Sequence, residues 1–306
     1  MDIILLGLNI LIIGGDRREI ELYLHLKKTG ANVHLYGFER YPDLENIYVS
    51  DNLIESIKLS QVIITPLMGI DSNGEVYTPY AKDKVFINDP KILKAINPKT
   101  LFIAGHIWPA LKEILIQNNV LVCETREMDE ISVPGAIPTA EGAIQVAMEN
   151  TDKTIHNSKV LVFGFGRCGS ILAHTLKALG AEVAVAVRRK KVLSWIEAYK
   201  MKPIPLNLIA EEVAKFDIIF NTIPALVIDA EVLYRIKKST LILDIATSPG
   251  GVDFAAAERL NIKAIPLPGL PGKVAPKTAA DILCKVYPDI IVSSMKRGEK
   301  FEPSRD

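Results

Sequence analysis

Short apolar runs that end in glycine or a polar turn alternate with longer amphipathic segments along the chain. Asn9 to Ile13 is apolar and stops at Gly14-Gly15-Asp16. From Arg17 to Thr29, Ile20, Leu22, Leu24 and Leu26 stand among charges, and the pattern predicts a helix closed by Gly30. Val33 to Tyr36 reads as the next strand. Gln61 to Thr65, Thr100 to Ala104 and Val120 to Cys123 are further apolar runs, each preceded by a helix-like segment. Short β-rich runs alternating with helical periods predict an open α/β sheet with helices on both faces.

The pattern then pauses and starts again. Pro134 and Pro138 interrupt the chain before a helical stretch, Thr139 to Asn150, with Thr139 placed to cap it. This segment is expected to connect two domains. Beyond it come a strand at Lys159 to Phe163, a glycine-rich turn, a helix at Ser170 to Leu179 and a strand at Glu182 to Val187. Asp217 to Asn221, Thr240 to Asp244 and Ala264 to Leu267 read as later strands. After Pro276, Lys277 to Val286 is helical again. The fold class expected is α/β, with two Rossmann-like parallel-sheet domains and a cleft between them. Residues 1–138 form the substrate-side domain and 139–276 the nucleotide-binding domain, and a C-terminal helix over about 277–306 packs back on the first.

Composition narrows the function classes. The 306 residues are 49% hydrophobic and 24% charged, as in a soluble globular protein. Lys plus Arg and Asp plus Glu both total 36, so no bulk attraction to nucleic acid or to an anionic membrane is expected. The apolar stretch Ile3 to Ile13 is too short to span a bilayer, lacks the features of a secretion signal, and reads as a buried strand. The three cysteines, Cys123, Cys168 and Cys284, form no C-x-x-C pair, which fits a reducing cytoplasm and gives no metal site.

Gly164-Phe165-Gly166-Arg167-Cys168-Gly169 follows an apolar strand and opens a helix. Gly164 permits a tight turn, Gly166 lets the backbone approach a pyrophosphate, and Gly169 lets helix pack on strand. Arg167 and the small Cys168 sit inside the turn, where helix-start amides hold phosphate. The strand that follows ends in Arg188-Arg189-Lys190-Lys191, with no acid until Glu197. An acid there suits the ribose hydroxyl of NAD, whereas Arg188 and Arg189 suit the 2′-phosphate of NADP. NADP is therefore the expected cofactor and NAD the alternative; a solvated basic loop is the competing reading. Thr222, Ile223 and Pro224 end one later strand, and Ala246 and Ser248 follow another, so all five are candidates to line the nucleotide site.

Strand ends of the first domain supply candidates for a small acidic substrate. Asp16 and Arg17 stand at a helix start, which suits a carboxylate. Thr65, Gly69 and Gly105 end later strands. His106 and Lys273 are candidate bases, because either pKa can be brought near the working pH. The alternatives are a solvated Arg17, a structural loop histidine and surface lysines, the last applying most to Lys277.

Several stretches together carry a family resemblance. They are Ile12-Ile13-Gly14-Gly15-Asp16-Arg17-Arg18, Pro138-Thr139-Ala140-Glu141-Gly142-Ala143-Ile144, the turn from Gly164 to Gly169, Asp244-Ile245-Ala246-Thr247-Ser248-Pro249-Gly250-Gly251-Val252-Asp253, and Leu267-Pro268-Gly269-Leu270-Pro271-Gly272-Lys273-Val274-Ala275-Pro276-Lys277-Thr278-Ala279. Over nearly its whole length the chain resembles the dipicolinate synthase A-subunit family of spore-forming bacteria. The last stretch is the most specific and the glycine turn the least. The resemblance implies NADP-dependent oxidation of dihydrodipicolinate, derived from 4-hydroxy-tetrahydrodipicolinate, to dipicolinate. It implies a flavoprotein-like B-subunit of dipicolinate synthase as partner and a place in the mother-cell cytoplasm during sporulation. The chain itself shows no flavin motif, and self-association into a homo-oligomer is also expected. Two other classes stay open: a dehydrogenase for another 2-hydroxy or 2-amino acid, and a nucleotide-binding regulatory protein.

Overall fold

The computed structural model describes residues 4–43, 45 and 47–297, so Ile3 and residues 298–306 of the expected terminal helix lie outside it. The described chain divides into two compact units, residues 4–132 with 275–297, and residues 133–274.

The first unit contains β1 (Asn9–Ile13), β2 (Asn32–Tyr36), β3 (Val62–Ile64), β4 (Glu75–Val76), β5 (Val85–Phe86), β6 (Leu101–Ala104) and β7 (Leu121–Glu124). Five of them form a parallel sheet in the order β2-β1-β3-β6-β7, and β4 pairs with β5 in a separate antiparallel ribbon. Its helices are α1 (Arg17–Lys28), α2 (Leu53–Leu59), α3 (Pro90–Ala95) and α4 (Pro109–Gln117). Side chains alternate across the sheet. Ile10 and Ile12 pack on one face with Ile20, Tyr23 and Leu26 of α1; Leu11 and Ile13 pack on the other with Leu111 and Leu115 of α4. The apolar stretch read from Ile3 narrows to β1, since Ile4 and Leu6 are exposed.

Helix α5 (Asp129–Asn150) is continuous and carries both Pro134 and Pro138. The sequence placed its start at Thr139, because a proline removes a backbone donor and crowds the preceding turn. Packing outweighs that cost. Ala136, Ala140, Ala143 and Ala147 are buried along it. The Thr139 hydroxyl donates to the Gly135 carbonyl at 2.8 Å, so Thr139 sits inside the helix and is not its cap.

The second unit contains β8 (Lys159–Phe163), β9 (Glu182–Val187), β10 (Lys202–Pro205), β11 (Ile218–Asn221), β12 (Leu241–Asp244) and β13 (Lys263–Pro266). All are parallel, in the order β10-β9-β8-β11-β12-β13, the doubly wound arrangement of dinucleotide-binding domains. Its helices are α6 (Arg167–Ala178), α7 (Lys190–Ala198), α8 (Ile209–Glu212), α9 (Ala230–Arg235), α10 (Phe254–Arg259) and α11 (Leu270–Val274). Strand β10 escaped the sequence reading because Pro203 and Pro205 interrupt it. It is an edge strand, where a missing donor is tolerated. Helix α12 (Pro276–Arg297) belongs to the first unit, where Leu283, Tyr287 and Ile291 share a core with α1. Among the described residues no helix is long and apolar enough to cross a membrane.

Candidate functional site

In the second unit the strand order reverses between β8 and β11, and the glycine turn lies at that point. Each glycine has its own cause. Gly164 has φ +94°, and a Cβ there would overlap Thr222 Oγ1. A Cβ on Gly169 would overlap the Gly164 carbonyl oxygen, so helix and strand meet too closely for any side chain. Gly166 differs: nothing of the protein lies within 4 Å of where its Cβ would be. It is also the N-cap of α6 and provides no side-chain cap, which leaves helix-start amides available to an anion. The open space at Gly166 therefore fits a pyrophosphate rather than internal packing.

A pocket of about 380 Å³ opens there. Gly164, Gly166, Arg167, Cys168 and Gly169 line it together with Arg188, Arg189, Thr222, Ile223 and Pro224. Ala246 and Ser248 are not among its lining residues. Their loop is organised by Asp244, whose carboxylate accepts from the Ala246 amide at 3.1 Å, the Gly251 amide at 2.9 Å and the Asn221 side chain at 2.8 Å. The Thr222 hydroxyl donates to the Phe163 carbonyl at 2.7 Å, pinning β11 to the turn. Burial pushes the Cys168 thiol up to about 11, so it is an unreactive turn residue at neutral pH.

In the first unit, His106 follows β6 and its Nδ1 lies 2.8 Å from Glu124 Oε1, at the end of β7. Glu124 also accepts from the Ile107 amide and from Lys112 Nζ, both at 2.8 Å. Burial alone would raise its pKa. The bonds from Lys112 and Ile107 outweigh that, with the charges of Lys112 and His106, and hold the carboxyl below the usual glutamate range. His106, Lys112 and Glu124 line a pocket of about 510 Å³. Sequence reasoning singled out His106 and missed Glu124. The available signal was a charged residue directly after the apolar run Val120 to Cys123.

Gly69 and Gly105 are required by close backbone approach. A Cβ at Gly69 would lie 2.7 Å from the His106 carbonyl oxygen, and one at Gly105 would overlap that of Leu67. Thr65 is fully buried and its hydroxyl points to the Ile103 carbonyl at 3.4 Å, so its side chain serves the sheet and not an open site.

The turn at Asp16 differs from the expectation that it holds a substrate carboxylate. Asp16 caps α1 and grips Arg18 through two bonds of 2.9 Å, while its own amide donates to Glu19 Oε2 at 2.8 Å. The Gly15 amide donates to the Tyr77 carbonyl at 2.9 Å. A Cβ at Gly14 would strike Thr78 Cγ2 at 2.5 Å. Segment Val76–Thr78 thus closes over this turn, and most of its donors are spent inside the protein. Arg18 and Glu19, which the sequence pattern does not single out, are buried; burial raises the Glu19 carboxyl above the usual glutamate range against the pull of Arg18. Arg17 is exposed beside Glu21 at 3.8 Å. Lys273, on α11, is exposed, and Lys277 pairs with Asp281 at 3.2 Å. Among the described residues no group of three or more His, Cys, Asp or Glu is arranged to hold a metal.

Comparison with known proteins agrees with this division. Residues 137–261 match the NAD-binding domain of the D-isomer specific 2-hydroxyacid dehydrogenases. Residues 9–126 match the N-terminal domain of the dipicolinate synthase A-subunit. Fold and glycine turn thus define a nicotinamide-nucleotide oxidoreductase built of two parallel-sheet units. The dipicolinate synthase A-subunit of Bacillus subtilis (strain 168) is 37% identical over 289 residues, covering 94% of this chain and 97% of the relative. The chain belongs to the dipicolinate synthase A-subunit family. The crystal structure of the family member from Bacillus halodurans is 34% identical, with TM-score 0.86 over 94% of this chain and 99% of the other. That of the corresponding chain of dipicolinate synthase from Bacillus subtilis is also 34% identical, with TM-score 0.84 over 97% and 99%.

Proposed function

We propose that this chain oxidises dihydrodipicolinate to dipicolinate with NADP as hydride acceptor. The observation that carries the reading is full-length similarity to the dipicolinate synthase A-subunit, joined to a glycine turn whose open face fits a pyrophosphate. The Gly166 turn would hold the pyrophosphate, and Arg188 and Arg189, both exposed on the pocket rim, would hold the 2′-phosphate of NADP in preference to NAD. NADP supplies hydride acceptance. Loss of one hydride and one proton converts the dihydropyridine ring to pyridine, and aromatisation drives the step. His106 takes the ring proton. Glu124, bonded to Nδ1, keeps that nitrogen as donor and leaves Nε2 as the accepting atom.

The name of the relatives supports a partner, so the chain is proposed to work with a flavoprotein-like B-subunit, in the cytoplasm of the sporulating mother cell. The test is ultraviolet absorbance of dipicolinate from purified chain, NADP and freshly made dihydrodipicolinate. Product without the B-subunit marks a self-sufficient enzyme, and product only in its presence marks an obligate complex. No product under either condition, with NADP binding intact, overturns the reading.

A further inference from the structure

Among the described residues Arg126 is a cation without an ion-pair partner. It follows β7, and its backbone is fixed on both sides: its amide donates to the Gly105 carbonyl at 2.9 Å and its carbonyl accepts from the Ser132 hydroxyl at 2.5 Å. The guanidinium donates to the Met68 carbonyl, its one side-chain hydrogen-bond partner among the described residues. A Cβ on Gly69 would lie 3.0 Å from Arg126 Nη2, so the absent side chain at Gly69 makes room for this group. Glu124, at the end of β7, is already engaged by Lys112, His106 and the Ile107 amide.

A neutral carbonyl cannot balance a partly buried guanidinium. Removing such a group from water is costly unless a charge partner is supplied, and a planar five-donor fork matches a carboxylate bidentately. The position is also informative. Met68–Gly69, Gly105–His106 and Arg126 lie beyond the carboxyl ends of β3, β6 and β7, the edge of a parallel sheet where ligands bind. Burial holds the Arg126 guanidinium below its usual range, against the pull of Glu127 and Glu124, as expected for a charge that lacks a close partner.

We propose that Arg126 binds one carboxylate of a small cyclic dicarboxylate, beside the His106–Glu124 pair. This is the role expected of Asp16 and Arg17 from their place at a helix start. It rests on the function proposed above and makes that function more specific.

The test measures binding of pyridine-2,6-dicarboxylate and pyridine-2-carboxylate by calorimetry, to full-length wild type, R126M and R126K with NADP saturating. Wild type should favour the dicarboxylate. In R126M the dicarboxylate should bind about 10- to 100-fold more weakly, the value of a charge-assisted bond, and the preference over the monocarboxylate should collapse. General damage to the fold weakens both ligands together and leaves their ratio unchanged. R126K keeps the charge without the fork and should lose less. An unchanged ratio in folded R126M overturns the assignment of the carboxylate to Arg126. Wild type that binds neither ligand and forms no product overturns the proposed function as well. A wild-type crystal soaked with pyridine-2,6-dicarboxylate decides the matter without any variant: a carboxylate on the Arg126 guanidinium supports it, and one bound elsewhere overturns it.

Discussion

His106 Nδ1 and Glu124 Oε1 lie 2.8 Å apart at the carboxyl ends of neighbouring parallel strands. An imidazole held this way presents one ring nitrogen in one orientation, and the proposed function makes it the base. His106→Gln should lower kcat by about 100- to 10,000-fold with little change in KM, the usual worth of a positioned base. Glu124→Gln should lower kcat less, by about tenfold or more. Ring nitrogen shifts of His106 in a long-range proton–nitrogen correlation should show one tautomer in wild type and a mixture in the variant. A single tautomer in both would remove Glu124 from the mechanism.

The two helix-side glycines of the nucleotide turn should separate stability from binding. Gly166→Ala adds a methyl where the protein has open space, so the melting temperature should hold while NADP affinity falls at least about tenfold. Gly169→Ala pushes a methyl against the Gly164 carbonyl and should destabilise the second unit by about 1–3 kcal/mol. Thermal unfolding and fluorescence titration of the same preparations provide the comparison.

Arg188→Ala with Arg189→Ala should weaken NADP by about tenfold or more and leave NAD within about twofold, since the loss concerns the 2′-phosphate alone. Equal loss for both nucleotides would show that the two arginines only raise the local positive potential.

Asp16→Asn keeps the helix cap but removes the charge opposite buried Arg18. It should cost about 3 kcal/mol in denaturant unfolding, as breaking a buried pair does, with KM for dihydrodipicolinate unchanged. A raised KM at unchanged stability would return Asp16 to the substrate site.

The alternation of apolar and helical periods was enough to place most strands and the glycine turn, because strands buried in a parallel sheet are continuous apolar runs such as Val160 to Phe163. It failed where tertiary packing overrules local rules, as at Pro134 and Pro138 in α5 and at Pro203 and Pro205 in β10. The glycine turn and the strand ends at Arg188 and Thr222 could be read because each is a short local segment. Glu124 and Arg126 were not, since their meaning comes from His106, Met68 and Gly69, which lie far from them in sequence and meet them only across the sheet. The pairing of Asp16 was hidden for the same reason: its partner Arg18 could not be told from its exposed neighbour Arg17.

The closure of Val76–Thr78 over Gly14 and Gly15 bears on how many nucleotides one chain can carry. Both units place a glycine turn at the point where their strand order reverses, and a chain with two such sheets has in principle two seats for a dinucleotide. The first seat is filled by the chain's own backbone, through the bond from the Gly15 amide to the Tyr77 carbonyl. Equilibrium dialysis should therefore find one NADP per chain, because the backbone of Val76–Thr78 already occupies the place where a second pyrophosphate would sit.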